Sequence, residues 1–343
     1  MKGDRQYTGV LPGLAVLLVL VTLASIRWGA VPIGLDEMAG AVRNWWSSPE
    51  SLTLNQRIFI EIRLPRALLT AVVGASLAVG GVLMQALFRN PIVEPGLIGT
   101  SSGAAFGAAL YFVLGATFQY HAGQWTLPIA ACAGGLLSTW LVFVLSGSAR
   151  TARSSIIALL LTGLAVNALF MSGVGFLSYI ARDPQARSIT FWQLGTLAGA
   201  TWFSVIIVSA CLAVCATVSL RKAQQLNALM LGEDEARNLG VRVARLKAVI
   251  LVLNVALIAV ATAFTGVIAF VGLIVPHLLR LMRGSDNRYL IRGSLLGGGA
   301  LLGLADLTAR LLVAPAELPI GIVTSMVGVP VFLILLRRNR YYF

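Results

Sequence analysis

Long apolar runs separated by short polar loops fill the chain. A helix needs about 20 apolar residues to cross the hydrocarbon core of a bilayer. Runs of this kind cover 10–26, 64–88, 97–114, 127–145, 156–180, 202–220, 243–264, 271–282, 290–312 and 319–336, with the third and eighth the weakest. A transmembrane barrel would alternate apolar and polar residues in short segments. These runs are continuous, so the pattern predicts an all-α polytopic membrane protein of about ten transmembrane helices. The longest outer loop, roughly 27–62, carries Trp28, Trp45 and Trp46. Indole rings favour the headgroup level, which predicts an interfacial helix there.

Composition supports the pattern. Of 343 residues, 58% are hydrophobic and 11% charged, and the mean hydropathy is +0.87. A soluble domain needs more charge than this, so a single membrane domain is expected over 1–343. Charge then sets orientation. Ten spans place both termini on one side. With the termini cytoplasmic, that face holds Lys2, Arg5, Arg89, Arg150, Arg153, Arg221, Lys222, Arg237, Arg242, Arg245, Lys247, Arg280, Arg283, Arg288, Arg292, Arg337, Arg338 and Arg340, 18 of the 26 basic residues. The net charge of +13 therefore reads as an orientation signal. A nucleic-acid footprint would concentrate it, whereas here it is spread over many loops, so no nucleic-acid partner is expected. The basic start and first apolar run also suit a signal peptide, but Ser25-Ile26-Arg27-Trp28 is a poor cleavage site and the span is expected to be retained.

Candidate chemistry is sparse. Cys132, Cys211 and Cys215 all fall inside spans; Cys211 and Cys215 share a helix face but have no His or carboxylate beside them, so no metal site is expected. The glycines suit close helix contact in lipid, with GxxxG spacings at Gly99, Gly103 and Gly107, at Gly299 and Gly303, and at Gly195 and Gly199. A nucleotide-binding Walker loop needs Gly-Lys before Ser or Thr. None of Lys2, Lys222 and Lys247 has that context, and the two histidines, His121 and His277, fall on opposite predicted sides. The chain thus reads as a transport subunit, with no catalytic residues and no engine of its own.

Charged residues in or near the spans are the remaining clue. Asp306 and Arg310 can pair at i, i+4 near the outer end of the ninth run. Arg63 and Arg66, at the outer start of the second run, oppose the orientation preference. A carboxylate-bearing partner outside would compensate for these arginines; snorkelling, with Glu61 and Asp306 as local partners, is the alternative. An ion-coupled carrier is the competing class, weakened by the scarcity of carboxylates inside the spans.

At this point a resemblance enters. Arg63-Leu64-Pro65-Arg66, the stretch from Gly81 through Arg89-Asn90-Pro91-Ile92-Val93-Glu94-Pro95-Gly96 to Gly99 with Ser101-Ser102-Gly103-Ala104, the stretch from Gly266 to Arg280, and Glu317 to Thr324 resemble the bacterial iron-chelate, haem and cobalamin uptake permeases. These are the membrane subunits of type II ATP-binding-cassette importers, and the likeness runs from about residue 57 to the C-terminus. It implies the type II importer permease fold, a homodimer in the bacterial inner membrane, and alternating access. It also implies two cytoplasmic ATPase subunits that use ATP and Mg, a periplasmic substrate-binding protein, and no cofactor on this chain. Within a coupling segment at about 226–241, Leu231, Gly232, Glu233, Asp234, Glu235, Ala236, Arg237, Asn238, Leu239 and Gly240 are similar to the part that sits in a cleft of the ATPase. Arg63, Arg66 and Arg310 match arginines that meet glutamates of the binding protein.

The segment Arg187 to Trp202 resembles haem-type members. Phe191, Trp192 and Trp202 offer aromatic surface, and Arg182 or Arg187 could meet haem propionates. Alternatively the aromatics anchor the interface and the arginines dock the binding protein. Haem is the leading substrate, with ferric siderophores and then cobalamin behind it. The turn from Asn90 to Gly96 is too irregular to face lipid and is expected to line protein or cytoplasm.

Overall fold

The computed structural model describes residues 9–29, 31, 33–47, 52–117, 123–147 and 156–338. His121, Lys2, Arg5, Arg150, Arg153 and Arg340 lie outside them. The described residues form fourteen α-helices with no strand: α1 Val10–Arg27, α2 Leu35–Ser47, α3 Leu54–Arg57, α4 Leu64–Phe88, α5 Thr100–Thr117, α6 Thr126–Leu145, α7 Ile156–Ile180, α8 Asp183–Gln193, α9 Trp202–Leu231, α10 Glu233–Asn238, α11 Val243–Thr265, α12 Val271–Arg283, α13 Asn287–Leu311 and α14 Ile320–Arg338. All ten apolar runs are helical. By length and composition seven helices can cross a membrane, and Thr100–Gly115 and Ile320–Ile334 are shorter apolar helices. α12 has only 13 residues.

The centre of the bundle is α4. A π-helical turn, Ile58–Arg63, joins it without a break to the capped α3, and 83% of its apolar window is buried, against 11% for α1. Small residues let neighbouring backbones touch it. A Cβ on Gly74 would strike the Gly298 carbonyl of α13, and one on Gly81 the Gly272 carbonyl of α12. The Gly99-Gly103-Gly107 ladder does what its spacing predicts, since Gly103 meets Gly134 and Gly107 meets Ala130 across α5 and α6. Gly299 and Gly303 receive Leu18 and Val21 of α1. The pair Gly195 and Gly199 differs from expectation: both lie in the loop between α8 and α9, where Gly195 supplies a φ of +72° and Gly199 faces open space. Spacing alone could not reveal that this stretch is not helical.

The segment 89–99 folds back into the bundle. Arg89 closes α4 in the left-handed region at φ 51°, and a short 3-10 helix, Pro95–Ile98, leads to Gly99 at φ +86°. Asn254, fully buried in α11, donates to the Pro95 carbonyl at 3.1 Å. The Phe270 N–H at the start of α12 donates to Glu94 Oε1 at 3.2 Å. Irregular backbone among spans is tolerated only where protein satisfies it, and here α11 and α12 do so. The loop 27–62 does contain a helix, α2, which carries Asp36 and Glu37 in its first turn. Asn55 donates to Glu37 at 2.9 Å, and this hydrogen bond holds the carboxyl below its ordinary pKa.

Candidate functional site

Two ends of the bundle carry the polar chemistry. At one end α1 finishes, α4 begins and α13 finishes. Their arginines are buried, each less than a tenth exposed. Arg63 donates to the Ile26 carbonyl at 3.1 Å, to that of Arg27 at 2.8 Å, and to that of Val31. Arg310 donates to the Trp28 carbonyl at 3.1 Å and to Ser25 Oγ at 2.6 Å. Both guanidiniums thus gather the carbonyls that α1 leaves unpaired at its negative C-terminal end. Arg66 donates to Asp306 Oδ1 at 2.9 Å and holds both oxygens of Glu317 at 2.9 Å. Arg310 Nε lies 3.0 Å from Asp306 Oδ2, an ion pair too oblique to count as a hydrogen bond. Asp306 therefore bridges two arginines. The local partner anticipated from the i, i+4 spacing is present, and Glu317, 251 positions from Arg66, joins it. No local pattern links those two positions.

A cleft of about 310 Å³ opens beside this cluster, lined by Arg66, Asp306, Glu317 and Phe191 with the loop 195–198. The predicted pathway residues separate here. Phe191 is 59% exposed, and Arg182 and Arg187 are also exposed. Trp192 is 7% exposed and packs among the alanines of α5. Trp202 donates from Nε1 to the Ile60 carbonyl at 3.0 Å, tying α9 to the π-helical turn. The two tryptophans hold the mouth in shape, and Phe191 and the two arginines face outward. α8 packs on α5 and α7. The loop after α8 is pinned by Thr196 N–H to the Thr265 carbonyl at 2.8 Å and Gly321 N–H to the Leu194 carbonyl at 2.9 Å.

At the opposite end α9 runs on past its apolar run to Leu231. The first residues of the coupling segment expected at about 226–241 are thus the last turns of α9. Gly232, at φ +140°, turns the chain into α10, and Gly240, at φ +82°, closes the segment. Lys247 of α11 holds Glu233 at 2.7 Å, and Arg237 holds Asp234 at 2.7 Å. Ala236 is fully buried on the inner face of α10. The outward residues include Leu231, 70% exposed, and Leu239, 65% exposed. Leu231 ends α9 and Leu239 follows α10, so two large apolar side chains are exposed on either side of the clamped, charged helix. Asn227, on the last turns of α9, accepts from Asn287 N–H at 2.8 Å and donates to Asp286 at 3.1 Å. Asp286 caps α13. This network joins the end of α9 to the α12–α13 turn, a link invisible in sequence because its partners stand 59 and 60 positions apart.

No cluster of three or more His, Cys, Asp or Glu able to hold a metal occurs among the described residues. A bundle of long apolar helices with its polar chemistry gathered at two ends fits a membrane permease. The FecCD transport family model matches residues 17–338, and the chain belongs to that family. The hemin transport system permease protein of Yersinia pestis is 41% identical over 340 residues, which cover 99% of this chain and 98% of that protein. A vitamin B12 import system permease protein of Pectobacterium atrosepticum is 37% identical, with 99% and 96% covered. Among solved structures, an inward-facing metal-chelate type ABC transporter matches with a TM-score of 0.83 at 33% identity, covering 96% of this chain and 99% of that one. The chain is thus the membrane permease subunit of a bacterial ABC importer; a separate ATPase hydrolyses the ATP, and a substrate-binding protein is a further partner.

Proposed function

We propose that this permease carries an iron chelate, haem, from periplasm to cytoplasm across the inner membrane. The observation that carries the reading is the similarity along the whole chain to the Yersinia pestis hemin permease, joined to α8, on which exposed Phe191 lines the cleft while exposed Arg187 stands four positions before it and exposed Arg182 at the start of the helix. A flat aromatic ring bearing two carboxylates suits one aromatic surface and two guanidiniums. The working unit is a homodimer with two ATPase subunits, its termini cytoplasmic, each chain forming one domain over 1–343. The test is ATP-driven uptake in proteoliposomes containing the permease, its ATPase and its binding protein. Haem uptake that needs both ATP and the binding protein is expected. Uptake of a ferric siderophore or cobalamin instead would overturn the substrate, and uptake by the permease alone on an ion gradient would overturn the mechanism.

The segment from Leu231 to Gly240 acts as the coupling element. Its exposed Leu231 and Leu239 enter a cleft of the ATPase, and the Asn227–Asp286–Asn287 network passes the movement to α12 and α13. Coupling of this kind requires an element that both sites bias. Leu239→Asp alters an exposed position, so folding is expected to persist. Association with the ATPase, read by co-purification, should fall at least about tenfold, the loss of one well-packed anchor; unaltered association would remove the segment from the interface.

Of the three arginines matched to binding-protein docking, Arg66 lines the open cleft and is the docking residue, while Arg63 and Arg310 are buried and hold the end of α1 in place behind it. Glu317, with a side chain 42% exposed, then competes with the incoming carboxylate. Glu317→Gln is expected to tighten the binding protein up to about fivefold, the worth of an exposed ion pair, with the gain reduced by salt. Weaker or unchanged affinity would count against an exchange of carboxylates on Arg66.

A further inference from the structure

We propose that the cleft between α9 and α11, at the α10 end of the bundle, binds the phosphate headgroup of an anionic phospholipid. The cleft measures about 400 Å³ and is lined by Lys222 and Gln225 of α9 and by Arg242 and Arg245 at the start of α11. Three cations converge there and no carboxylate lines it. None of the three has an ion-pair partner among the described residues. The nearby acids of α10 are engaged elsewhere, Glu233 by Lys247 and Asp234 by Arg237. Like charges drawn together without a counter-charge repel one another, so an anion is the missing component.

The backbone adds to this demand. α11 starts at Val243 with no side-chain cap, so the first-turn N–H groups and the positive helix end face the same region. The apolar surroundings choose the source of the anion. Val218 and Val249 complete the cleft on the side of the spans. One turn further along the same faces, Val214 is 64% and Val252 is 68% exposed. An apolar track that leads from a cationic cleft into the bilayer suits an acyl chain below a phosphate. A soluble phosphate would make no use of it. Basic pockets between transmembrane helices recognise anionic headgroups in this way. A lipid seated there would brace α9 against α11, the two helices that flank α10. Assignment to the cytoplasmic leaflet rests on the topology proposed above; the lipid contact does not.

The test uses full-length permease in nanodiscs of phosphatidylcholine with a small mole fraction of cardiolipin or phosphatidylglycerol. Bound anionic lipid is counted by native mass spectrometry and titrated by thermal shift. Near 1 kcal/mol per basic residue, Lys222→Gln, Arg242→Gln and Arg245→Gln are each expected to weaken the lipid about fivefold, and all three together about a hundredfold. Arg221→Gln, exposed and outside the cleft, serves as the control and is expected to have no effect. Unfolding in phosphatidylcholine alone shows that the variants are folded. Equal retention of anionic lipid by a folded triple variant would overturn the proposal. So would inorganic phosphate that binds as tightly as the lipid, which marks a soluble-anion site. Displacement of the lipid by the ATPase subunit in equal stoichiometry would also overturn it, by marking a protein contact.

Discussion

Asp306→Ala is expected to lower the stability of the permease by about 3–5 kcal/mol, the cost of removing one partner from a buried ion pair. Asp306 is 1% exposed and stands between Arg66 at 2.9 Å and Arg310 at 3.0 Å. Its loss leaves two guanidiniums without their shared anion inside the bundle. Arg66 retains Glu317, whose side chain is 42% exposed and therefore well screened. Arg310 retains only the neutral groups of Ser25 and Trp28. Because Arg310 also closes the end of α1, the loosened contact should spread to α1 against α13. Thermal unfolding in a fixed detergent or nanodisc measures the effect. Asp306→Asn keeps the shape and loses the charge, and should fall between wild type and Asp306→Ala. An unchanged unfolding midpoint for Asp306→Ala would show that the cluster contributes no net stability.

A single methyl group at Gly81 should be nearly as disruptive. The Cβ of Gly81→Ala would fall inside the contact distance of the Gly272 carbonyl, backbone against backbone, with no flexible side chain to yield. α12 must move away from α4. Overpacking of this kind costs about 1–3 kcal/mol. The displacement also disturbs Gln85, which reaches the Gly272 and Leu273 carbonyls at 3.4 Å and receives Arg280 at 2.8 Å. It reaches the re-entrant segment as well, through the Phe270 to Glu94 hydrogen bond. Uptake should therefore fall together with stability. Gly13→Ala is the matched control. Nothing lies within 4 Å of its added Cβ, so helix propensity alone should make it neutral or up to about 1 kcal/mol stabilising. Equal unfolding midpoints for the two variants would show that the α4–α12 crossing adapts without cost.

Much of this molecule is legible without coordinates because a bilayer restricts the choices. Backbone groups facing hydrocarbon must find partners within the protein, and a single segment supplies its own only as a helix, so a continuous apolar run already implies a helix. The ten runs, the GxxxG contact of α5 with α6, a helix in the loop 27–62 and the protein-lined turn after Asn90 follow from such local rules. The oddity of Arg63, Arg66 and Arg310 is also visible in sequence, since cations there oppose the orientation preference. What relieves it is not visible. The carbonyls of Ser25, Ile26 and Trp28 that receive Arg63 and Arg310 become acceptors only once α1 ends beside α4 and α13. Glu317 meets Arg66 only because the loop after α13 returns over the mouth.

The division between sequence and tertiary structure follows the range of the forces. Hydrophobic period, charge bias and glycine spacing act within a segment or between neighbours, and they settle element type and number. Which face of α8 points outward is decided by packing: Trp192 and Phe191 are adjacent and equally aromatic, yet one is buried and the other exposed. The extension of α9 to Leu231 and the clamp of Glu233 by Lys247 likewise depend on α11 lying alongside. The gathering of Lys222, Arg242 and Arg245 into one cleft has the same origin, because residues about twenty positions apart share a site only when two helices bring them there.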